Sequence, residues 1–472
     1  MNKQYKVSRW SNVYIRGNIA ALSHSISLAH LFIPKDIGSN FISLKGQILT
    51  EKELVTVSGN NHAVFDHLKT EGFIVPSYDD EMKYLADTRD KLLLDVSLEK
   101  MYLLLTDACN MACTYCSEEI MELHRFRAKY MTIETVDRSL ECFARLMKLY
   151  GGRKPRRRIC LYGGEPLLNR DGVFHAVEKI TEMKKTGVLP KDTFVYSLTN
   201  GQLFTEEYAR LFAKHGVGVS ISIDGPKRIN DTHRITKQRT SPFAKATDAY
   251  YLAKQHGVDV GLSTTLTQEV VDNFDETLDF FIDDLGLKEC ITLFILHYTP
   301  CFPVEPTYYE KAALCMIKAH ERFSALGITE DSMQKKIGAF SNKAPILAEC
   351  GANGGTLVVA PEGTIGPCVD LIKPRLYLGG SVHDAEYDPI KSGLYDRWRT
   401  RSPLFMDKCV DCPALGICGG GCPVSVECQT GSRWDIDPRI CPHSKLTLEW
   451  LLWKTYDESD KKSLFGLTDI HI

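Results

Sequence analysis

Short apolar runs alternate with helical patterns through the middle of the chain. Six runs of apolar and β-branched residues are typical of buried strands; they cover residues 101–106, 158–162, 193–198, 218–223, 259–266 and 291–298. A helical pattern follows each run, and Thr132 and Gly151 are the expected ends of the first of these helices. Six strand–helix units in a row predict an α/β fold with a parallel sheet. The pattern alone does not separate an open sheet from a barrel.

The first 96 residues show a different pattern. We predict strands around residues 12–19, 20–27 and 73–75, a helix opened by a capping box of Thr50 and Glu53, and a second helix at residues 61–70. This layout is typical of a winged-helix-like module, which binds either a peptide strand or DNA. Residues 1–96 hold eleven Lys or Arg and eleven Asp or Glu. A module with no net positive charge binds DNA poorly, so no nucleic-acid partner is expected.

Composition limits the class of protein. The chain has 472 residues, enough for two or three domains, and its net charge is -3. The first ten residues lack an apolar secretory core, and no apolar stretch of about 18 residues exists, so we expect a cytoplasmic protein with no membrane segment. Sixteen cysteines in a reducing compartment indicate metal ligands or free thiols rather than disulfides.

Three cysteines follow the first predicted strand at C-x3-C-x2-C spacing: Cys109, Cys113 and Cys116. Three thiolates hold three irons of a four-iron cube and leave the fourth iron open for another ligand. The alternatives are scattered core thiols or a zinc site, although structural zinc takes four ligands. With Tyr115 before the last cysteine, the segment resembles the signature of the radical S-adenosylmethionine (radical SAM) superfamily.

This resemblance implies a partial six-stranded (β/α) barrel, open on one side. It also implies that S-adenosylmethionine binds the open iron and is cleaved reductively to a 5'-deoxyadenosyl radical, with electrons from a flavodoxin or ferredoxin. The family's GGEP motif matches Gly163, Gly164, Glu165 and Pro166, whose backbone and carboxylate would satisfy the ammonium of the cofactor. The remaining cofactor contacts that the resemblance implies are Tyr115, Ser222, Asp224, Arg234, Asn200 and Leu266. For Asn200 a purely structural role in a turn, and for Leu266 a place in the apolar core, are equal alternatives.

A second group of cysteines lies near the carboxyl end. Its spacing is Cys350-x12-Gly363-x4-Cys368, then Cys409-x2-Cys412-x5-Cys418-x3-Cys422, then Cys441. This spacing resembles the SPASM domain of radical SAM enzymes that modify peptides and proteins. The resemblance implies two auxiliary 4Fe-4S clusters and three clusters in all. Cys350, Cys368 and Cys422 would hold the first auxiliary cluster, and Cys409, Cys412, Cys418 and Cys441 the second. Cys428 either fills the remaining ligand position or is a free thiol.

The layout of the first module resembles the RiPP recognition element, which binds the leader of a ribosomal precursor peptide at a sheet edge. We therefore divide the chain into a leader-binding module at residues 1–78, a helical linker at 79–96, the barrel at 97–330, the SPASM domain at 331–449 and a tail at 450–472.

Three functions compete at this point. The favoured one is a radical SAM peptide maturase that closes a Cys thioether, similar to ranthipeptide and sactipeptide synthases; a carbon–carbon crosslinking cyclase is a variant of it. The second is an anaerobic sulfatase-maturing enzyme, in which an Asp base directly follows the cysteine matching Cys368. Here Val369 intervenes, and Asp370 is the only catalytic candidate. The third, a redox-sensing iron-sulfur regulator, has no use for the cofactor-binding motifs.

Overall fold

The structure is a computed structural model that describes residues 3–94, 96–116, 128–151, 157–297, 304–372, 376 and 378–459. Within these ranges, no helix is both long enough and apolar enough to cross a membrane.

The amino-terminal module contains two small antiparallel sheets and three helices. Its strands are Gln4–Val7 (β1), Ser11–Arg16 (β2), Ile19–His24 (β3), His30–Pro34 (β4), Leu49–Thr50 (β5) and Ile74–Pro76 (β6), and its helices are Lys35–Ser43 (α1), Glu51–Val57 (α2) and His62–Thr70 (α3). One sheet has the order β5-β1-β6 and the other β2-β3-β4. The capping box of Thr50 and Glu53 is present at the start of α2. The linker helix Glu81–Leu94 (α4) follows.

The sequence missed three substantial elements of this module, namely β1, β4 and α1. Helix α1 follows Pro34 and has no side-chain cap at its start, so the usual signal of a helix start is absent. Strand β4 follows Leu28, whose φ of 57° lies in the left-handed region. That tight turn places β4 against β3, and no Gly marks it in the sequence.

The barrel contains all six predicted strands. They are Lys100–Thr106 (β7), Arg158–Gly163 (β8), Phe194–Thr199 (β9), Val217–Ser222 (β10), Val260–Leu266 (β11) and Cys290–Ile295 (β12). Its helices are Ile133–Tyr150 (α5), Arg170–Lys185 (α6), Glu206–His215 (α7), Lys227–His233 (α8), Phe243–Gln255 (α9), Gln268–Asp272 (α10), Phe274–Asp279 (α11), which a π-helical turn extends at Phe280–Asp284, and Tyr308–Ala325 (α12). The strands are parallel and lie in sequence order. The predicted α/β fold with a parallel sheet is therefore confirmed.

The ends of the first barrel helix also agree with the prediction. The Thr132 side chain accepts a hydrogen bond from Thr135 N, and Gly151 follows the last residue of α5. Val136, Leu140 and Phe143 are fully buried on its inner face, as the helical spacing of apolar residues requires.

The sheet is longer than the six strands predicted. A two-residue strand, Thr329–Glu330 (β13), pairs with β12, and at the other edge Thr356–Val359 (β14) pairs with β7 in parallel. Strand Ile365–Gly366 (β15) then pairs with β14. The carboxyl-terminal region is thus joined to the barrel by backbone hydrogen bonds.

Short elements dominate the carboxyl-terminal region. Its helices are Asp331–Ser341 (α13), Val369–Ile372 (α14), Asp396–Arg399 (α15), Leu415–Cys418 (α16), Pro423–Thr430 (α17) and Ile440–Glu458 (α18). Helix α18 runs through the domain boundary predicted at 449/450, so the expected tail begins inside a continuous helix. Its residues Leu448, Leu451 and Leu452 pack in the same apolar cluster as Ala21 and Phe32 of the amino-terminal module.

Candidate functional site

Cys109, Cys113 and Cys116 lie in the loop directly after β7, at the carboxyl end of the parallel sheet. Met111 N donates a hydrogen bond to Cys109 Sγ at 3.4 Å, and Cys116 N donates to Cys113 O at 3.0 Å. Amide groups that point at cysteine sulfur are typical of iron-sulfur ligation. The loop is therefore folded tightly around its own cysteines.

A short segment after α8 holds this loop in place. Ala112 N donates to Ile235 O at 2.8 Å, Thr114 N donates to His233 O at 3.0 Å, and Met111 forms a β-bridge with Thr236. The His233 ring hydrogen-bonds Thr114 Oγ1 at 2.7 Å and Glu269 at 2.5 Å. Sequence reasoning missed His233 because its partners are separated from it by 119 and 36 residues.

Gly163 and Gly164 bring the loop after β8 against the cysteine loop. A Cβ atom at Gly163 would lie 2.2 Å from Thr106 O, and one at Gly164 would lie 2.4 Å from Ala108 O. Gly163 also has a φ of 159°. No other residue fits this approach, so the two glycines fix the distance between the GGEP loop and the first cysteine.

The Glu165 carboxylate faces the protein rather than an open site. It is 1% exposed and accepts hydrogen bonds from Leu167 N at 3.1 Å, Thr199 Oγ1 at 2.8 Å and Asn200 N at 2.8 Å. Burial raises its pKa to about 7. Through these contacts Glu165 joins the ends of β8 and β9.

Through that contact, Glu165 orients Asn200. The Asn200 side-chain nitrogen lies 2.8 Å from Asn110 Oδ1 and 3.9 Å from Cys109 Sγ. The Asn200 side chain therefore contacts the cysteine loop, as a site residue would, and does more than shape a turn.

Tyr115, Asp224 and Arg234 form one buried network at the end of β10. Tyr115 Oη donates to Asp224 Oδ2 at 2.6 Å, and Arg234 Nη1 donates to Tyr115 Oη at 2.6 Å. Asp224 Oδ1 accepts from Thr265 N at 2.9 Å, which ties the network to β11. Three predicted site residues thus meet around the cysteine loop.

The two remaining candidates differ. Ser222 is half-buried at the last position of β10. Leu266 ends β11, and its side chain is fully buried in the main core while its carbonyl accepts a hydrogen bond from Tyr308 Oη. The core alternative for Leu266 is thus the one that its surroundings support.

Four carboxyl-terminal cysteines line one cavity. Cys409, Cys412, Cys418 and Cys441 share its walls with apolar residues that include Leu415, Ile436 and Ile440. Burial, and then the thiolates of Cys418, Cys412 and Cys441, raise the pKa of Cys409 to about 12. These four residues are the set expected for the second auxiliary cluster, and the structure brings them together.

Cys350, Cys368 and Cys422 form the second set, in a cluster with Trp398, Leu371 and Val424. Burial and the charge of Cys422 raise the pKa of Cys350 to about 12. Ala352 N donates to Cys350 Sγ at 3.3 Å and Ser425 N donates to Cys422 Sγ at 3.5 Å. Cys428, by contrast, is exposed on α17, although the charge of Asp370 acts on it as on Cys368.

The chemistry of the donor sets fits the implied clusters. Each set consists of three or four cysteines, and thiolates are the ligands that hold 4Fe-4S clusters.

Sequence reasoning did not connect a group of charged side chains from the end of β12 and from the carboxyl-terminal region. His297 follows β12 and is exposed. Desolvation by the surrounding protein and the charge of Arg439 lower its pKa to about 4, against the opposing charges of Asp370 and Asp437. Asp370, the catalytic candidate, also raises the pKa of Cys368, after burial. The charge of Asp370 thus acts both on His297 and on an expected cluster ligand.

Other cysteines belong to none of the three sets. Cys142 and Cys160 are buried, whereas Cys290 and Cys315 are only half-buried. Cys301 and the end of the predicted tail, residues 460–472, lie outside the described residues.

Residues 103–281 match the Radical SAM superfamily. This segment begins in β7 and includes the cysteine loop, the GGEP loop and the network around Tyr115. The chain therefore contains a radical SAM domain, and the first expectation from its motifs is confirmed.

Particular relatives extend the likeness beyond this domain. The radical SAM cyclopropyl synthase TigE of Paramaledivibacter caminithermalis is 22% identical over 396 residues, which cover 81% of this chain and 80% of TigE. The solved structure of anSMEcpe with bound AdoMet covers 79% of this chain and all of that chain, with a TM-score of 0.63 and 17% identity. Streptococcus suis SuiB bound to its precursor peptide SuiA covers 93% of this chain and 99% of SuiB, with a TM-score of 0.54 and 14% identity. At these identities the structures show a shared fold.

Proposed function

We propose that the protein is a radical SAM enzyme that modifies a ribosomal precursor peptide and closes an intramolecular Cys thioether. The observation that carries this proposal is the arrangement of the cysteines, with one set of three on the barrel, one set of three packed against the apolar cluster of Trp398 and one set of four around a cavity.

The barrel site supplies the radical chemistry in this proposal. Cys109, Cys113 and Cys116 would hold a 4Fe-4S cluster, which supplies the electron that cleaves S-adenosylmethionine. The backbone of Gly163 and Gly164 and the network of Arg234, Tyr115 and Asp224 would orient the cofactor beside it. The paired N–H groups of the Arg234 guanidinium suit the carboxylate of the cofactor. A flavodoxin or ferredoxin would be the electron donor.

The choice of a thioether rests on the three-cysteine set. Closing a carbon–sulfur bond removes one hydrogen atom from carbon, taken by the 5'-deoxyadenosyl radical, and one proton and one electron from the thiol side. Asp370 is a candidate acceptor for the proton, because its charge reaches Cys368. The electron requires a one-electron acceptor, the role proposed for the cluster held by Cys350, Cys368 and Cys422. The exposed position of Cys428 supports an open iron there for the peptide thiolate.

The amino-terminal module would bind the leader of the precursor peptide. Strands β2 and β4 are the two edges of its sheet, and an extended peptide can add to such an edge. The likeness to SuiB over 93% of this chain supports a peptide substrate. A sulfatase-maturing enzyme has no need for this module, and Val369 stands where its Asp base is expected.

Carbon–carbon bond formation is the second candidate, because the relative TigE is named a cyclopropyl synthase and covers most of this chain. Both reactions remove two hydrogen atoms, so mass alone does not separate them. We would incubate the reconstituted protein with S-adenosylmethionine, a reductant and a cysteine-containing precursor peptide, and then alkylate the product. A thioether removes one alkylatable thiol, whereas a product that keeps all its thiols would refute the thioether proposal.

The Cys428→Ala variant tests the open iron. Full iron content and unchanged crosslinking are expected, because Cys428 lies on the surface of α17. Loss of about four irons in this variant would mean four protein ligands and would exclude ligation of the substrate thiolate at that cluster.

A further inference from the structure

Arg401 is a buried cation whose partners are backbone carbonyls. It is 4% exposed, and its guanidinium donates to Gly420 O at 2.6 Å, Gly421 O at 3.2 Å, Asp435 O at 3.3 Å and Arg433 O. In the part of the chain that the structure describes, these four carbonyls are all of its hydrogen-bond partners. They leave its positive charge formally uncompensated.

The turn that Arg401 holds joins the two expected auxiliary sites. Gly419, Gly420 and Gly421 connect Cys418, of the four-cysteine set, with Cys422, of the three-cysteine set. All three glycines have left-handed φ angles of 67°, 83° and 72°, a run that other residues do not adopt. The guanidinium therefore fixes a turn with a cluster ligand at each end.

The neighbouring carboxylate of Asp437 acts on two guanidinium groups, Arg401 and Arg439. Asp437 is buried and makes a two-point contact with Arg439, with Nε at 3.0 Å and Nη2 at 2.8 Å, and it also accepts from Cys422 N at 2.8 Å. Arg439 and Cys422 thus already engage Asp437. One buried carboxylate beside two buried guanidinium groups leaves a net positive charge. Such a charge is costly to bury, so a second source of negative charge is needed near Arg401.

That source lies on both sides of the residue. Cys350 and Cys422 belong to one set and Cys418 to the other, and after Asp437 the charges of all three act on Arg401. Pro403, two residues after Arg401, lines the cavity of the four-cysteine set. Thiolate-ligated cubes are anionic, and a positive charge nearby stabilises their reduced form.

We propose that Arg401 is a positioning residue that fixes Cys418 and Cys422 and supplies one positive charge shared by both auxiliary clusters. The proposal rests on the proposed function, because it requires that these cysteines hold clusters. Its direct consequence is that the reduction potentials of the two clusters depend on the same side chain.

The test compares Arg401→Gln with the parent protein, with iron content and the potential of each cluster from a redox titration followed by electron paramagnetic resonance. We expect both auxiliary potentials to become more negative, while the potential of the cluster at Cys109, Cys113 and Cys116 stays unchanged. Arg170→Gln is the matched control, because it removes the same charge from an exposed pair with Glu207 on the barrel, and it should shift none of the three.

Each outcome bears on one claim. Unchanged auxiliary potentials in Arg401→Gln, or a shift in one cluster alone, would overturn the shared charge. If the Gln variant fails to load auxiliary iron, Arg401→Lys should load it, because Lys restores the charge; failure of both variants would overturn the electrostatic role. A parent protein with only about four irons would instead refute the proposed function, independently of Arg401.

Discussion

The cysteine loop of the barrel and the cysteine loop at residues 409–418 are supported by different parts of the molecule. The barrel loop is held by its own domain, through the bridge of Met111 with Thr236 and the hydrogen bond from Ala112 N to Ile235 O. Its neighbours, the GGEP loop and the end of β10, belong to the same sheet. This site is complete within one domain.

The loop at residues 409–418 depends instead on the amino-terminal module. Arg9 makes a two-point contact with Asp411 at 2.7 and 2.9 Å, and Trp10 Nε1 donates to Val410 O at 3.1 Å. Gly416 N donates to Ser25 O at 2.8 Å. Trp10, Ile26 and Leu415 share one apolar cluster.

This difference shows that the amino-terminal module has two roles in the structure. It contains two small sheets with edge strands, and it also contacts the loop at residues 409–418, which carries three of the four cysteines of the expected second auxiliary site. Removing the whole module would therefore disturb more than peptide binding, and single substitutions are the better probes.

Replacing Cys109, Cys113 and Cys116 together by Ala tests the independence of the barrel site and has the largest expected effect. Cleavage of S-adenosylmethionine should be lost completely, and iron should fall by about four from a total of about twelve. The auxiliary sites should keep their iron because none of their expected ligands lies in the barrel loop. Loss of auxiliary iron as well, measured by iron assay and Mössbauer spectroscopy, would contradict this separation.

Gly164→Ala perturbs the barrel site without removing a ligand. Its Cβ would lie 2.4 Å from Ala108 O, so the cysteine loop or the GGEP loop has to move. A displacement of this size near reacting atoms lowers rates by roughly 100-fold, and we expect a loss of this order in the cleavage rate. Gly338→Ala is the control, since a Cβ there meets no atom within 4 Å; an equal loss in the control would refute the steric explanation.

Trp10→Ala tests the dependence of the second loop on the amino-terminal module. The indole is 5% exposed, and its loss should cost about 4 kcal/mol. Because Trp10 packs on the loop at residues 409–418, a chelator should remove iron from the four-cysteine site faster than from the other two. Phe212→Ala, which truncates a fully buried barrel residue, should destabilise the protein similarly without this selectivity. Uniform release in Trp10→Ala would show that the module does not support the site.

The smallest expected effect is a pH dependence of stability that comes from Glu165, in the barrel. Burial raises its pKa to about 7 in the folded protein, whereas the unfolded chain releases this proton near pH 4.5. Between these values the folded state binds more protons, so its stability falls as pH rises, by about 3 kcal/mol in total. Urea unfolding from pH 5 to 7 should show a steeper fall for the parent protein than for Glu165→Gln. Parallel curves would mean that Glu165 stays ionised when buried.

The sequence by itself determined the features that depend on near neighbours along the chain. The six barrel strands, the Thr132 cap and the capping box of Thr50 and Glu53 were predictable because apolar periodicity and capping act within about one helical turn or one strand. The C-x3-C-x2-C loop was equally predictable, because the three cysteines that would bind a cluster all lie within eight residues of sequence. Strand β4 and helix α1 were missed because a left-handed Leu28 and an uncapped helix start leave no such local signal.

Only the tertiary structure decided which distant residues meet. Arg9 and Asp411 are 402 residues apart, and nothing near either residue in the sequence indicates the other. The same holds for Glu165, whose partners lie on the next strand, for His297, whose charged neighbours come from the carboxyl-terminal region, and for Arg401, whose turn joins two cysteine sets. Burial and hydrogen-bond partners set the charge and role of such groups, and both arise only when the chain has folded.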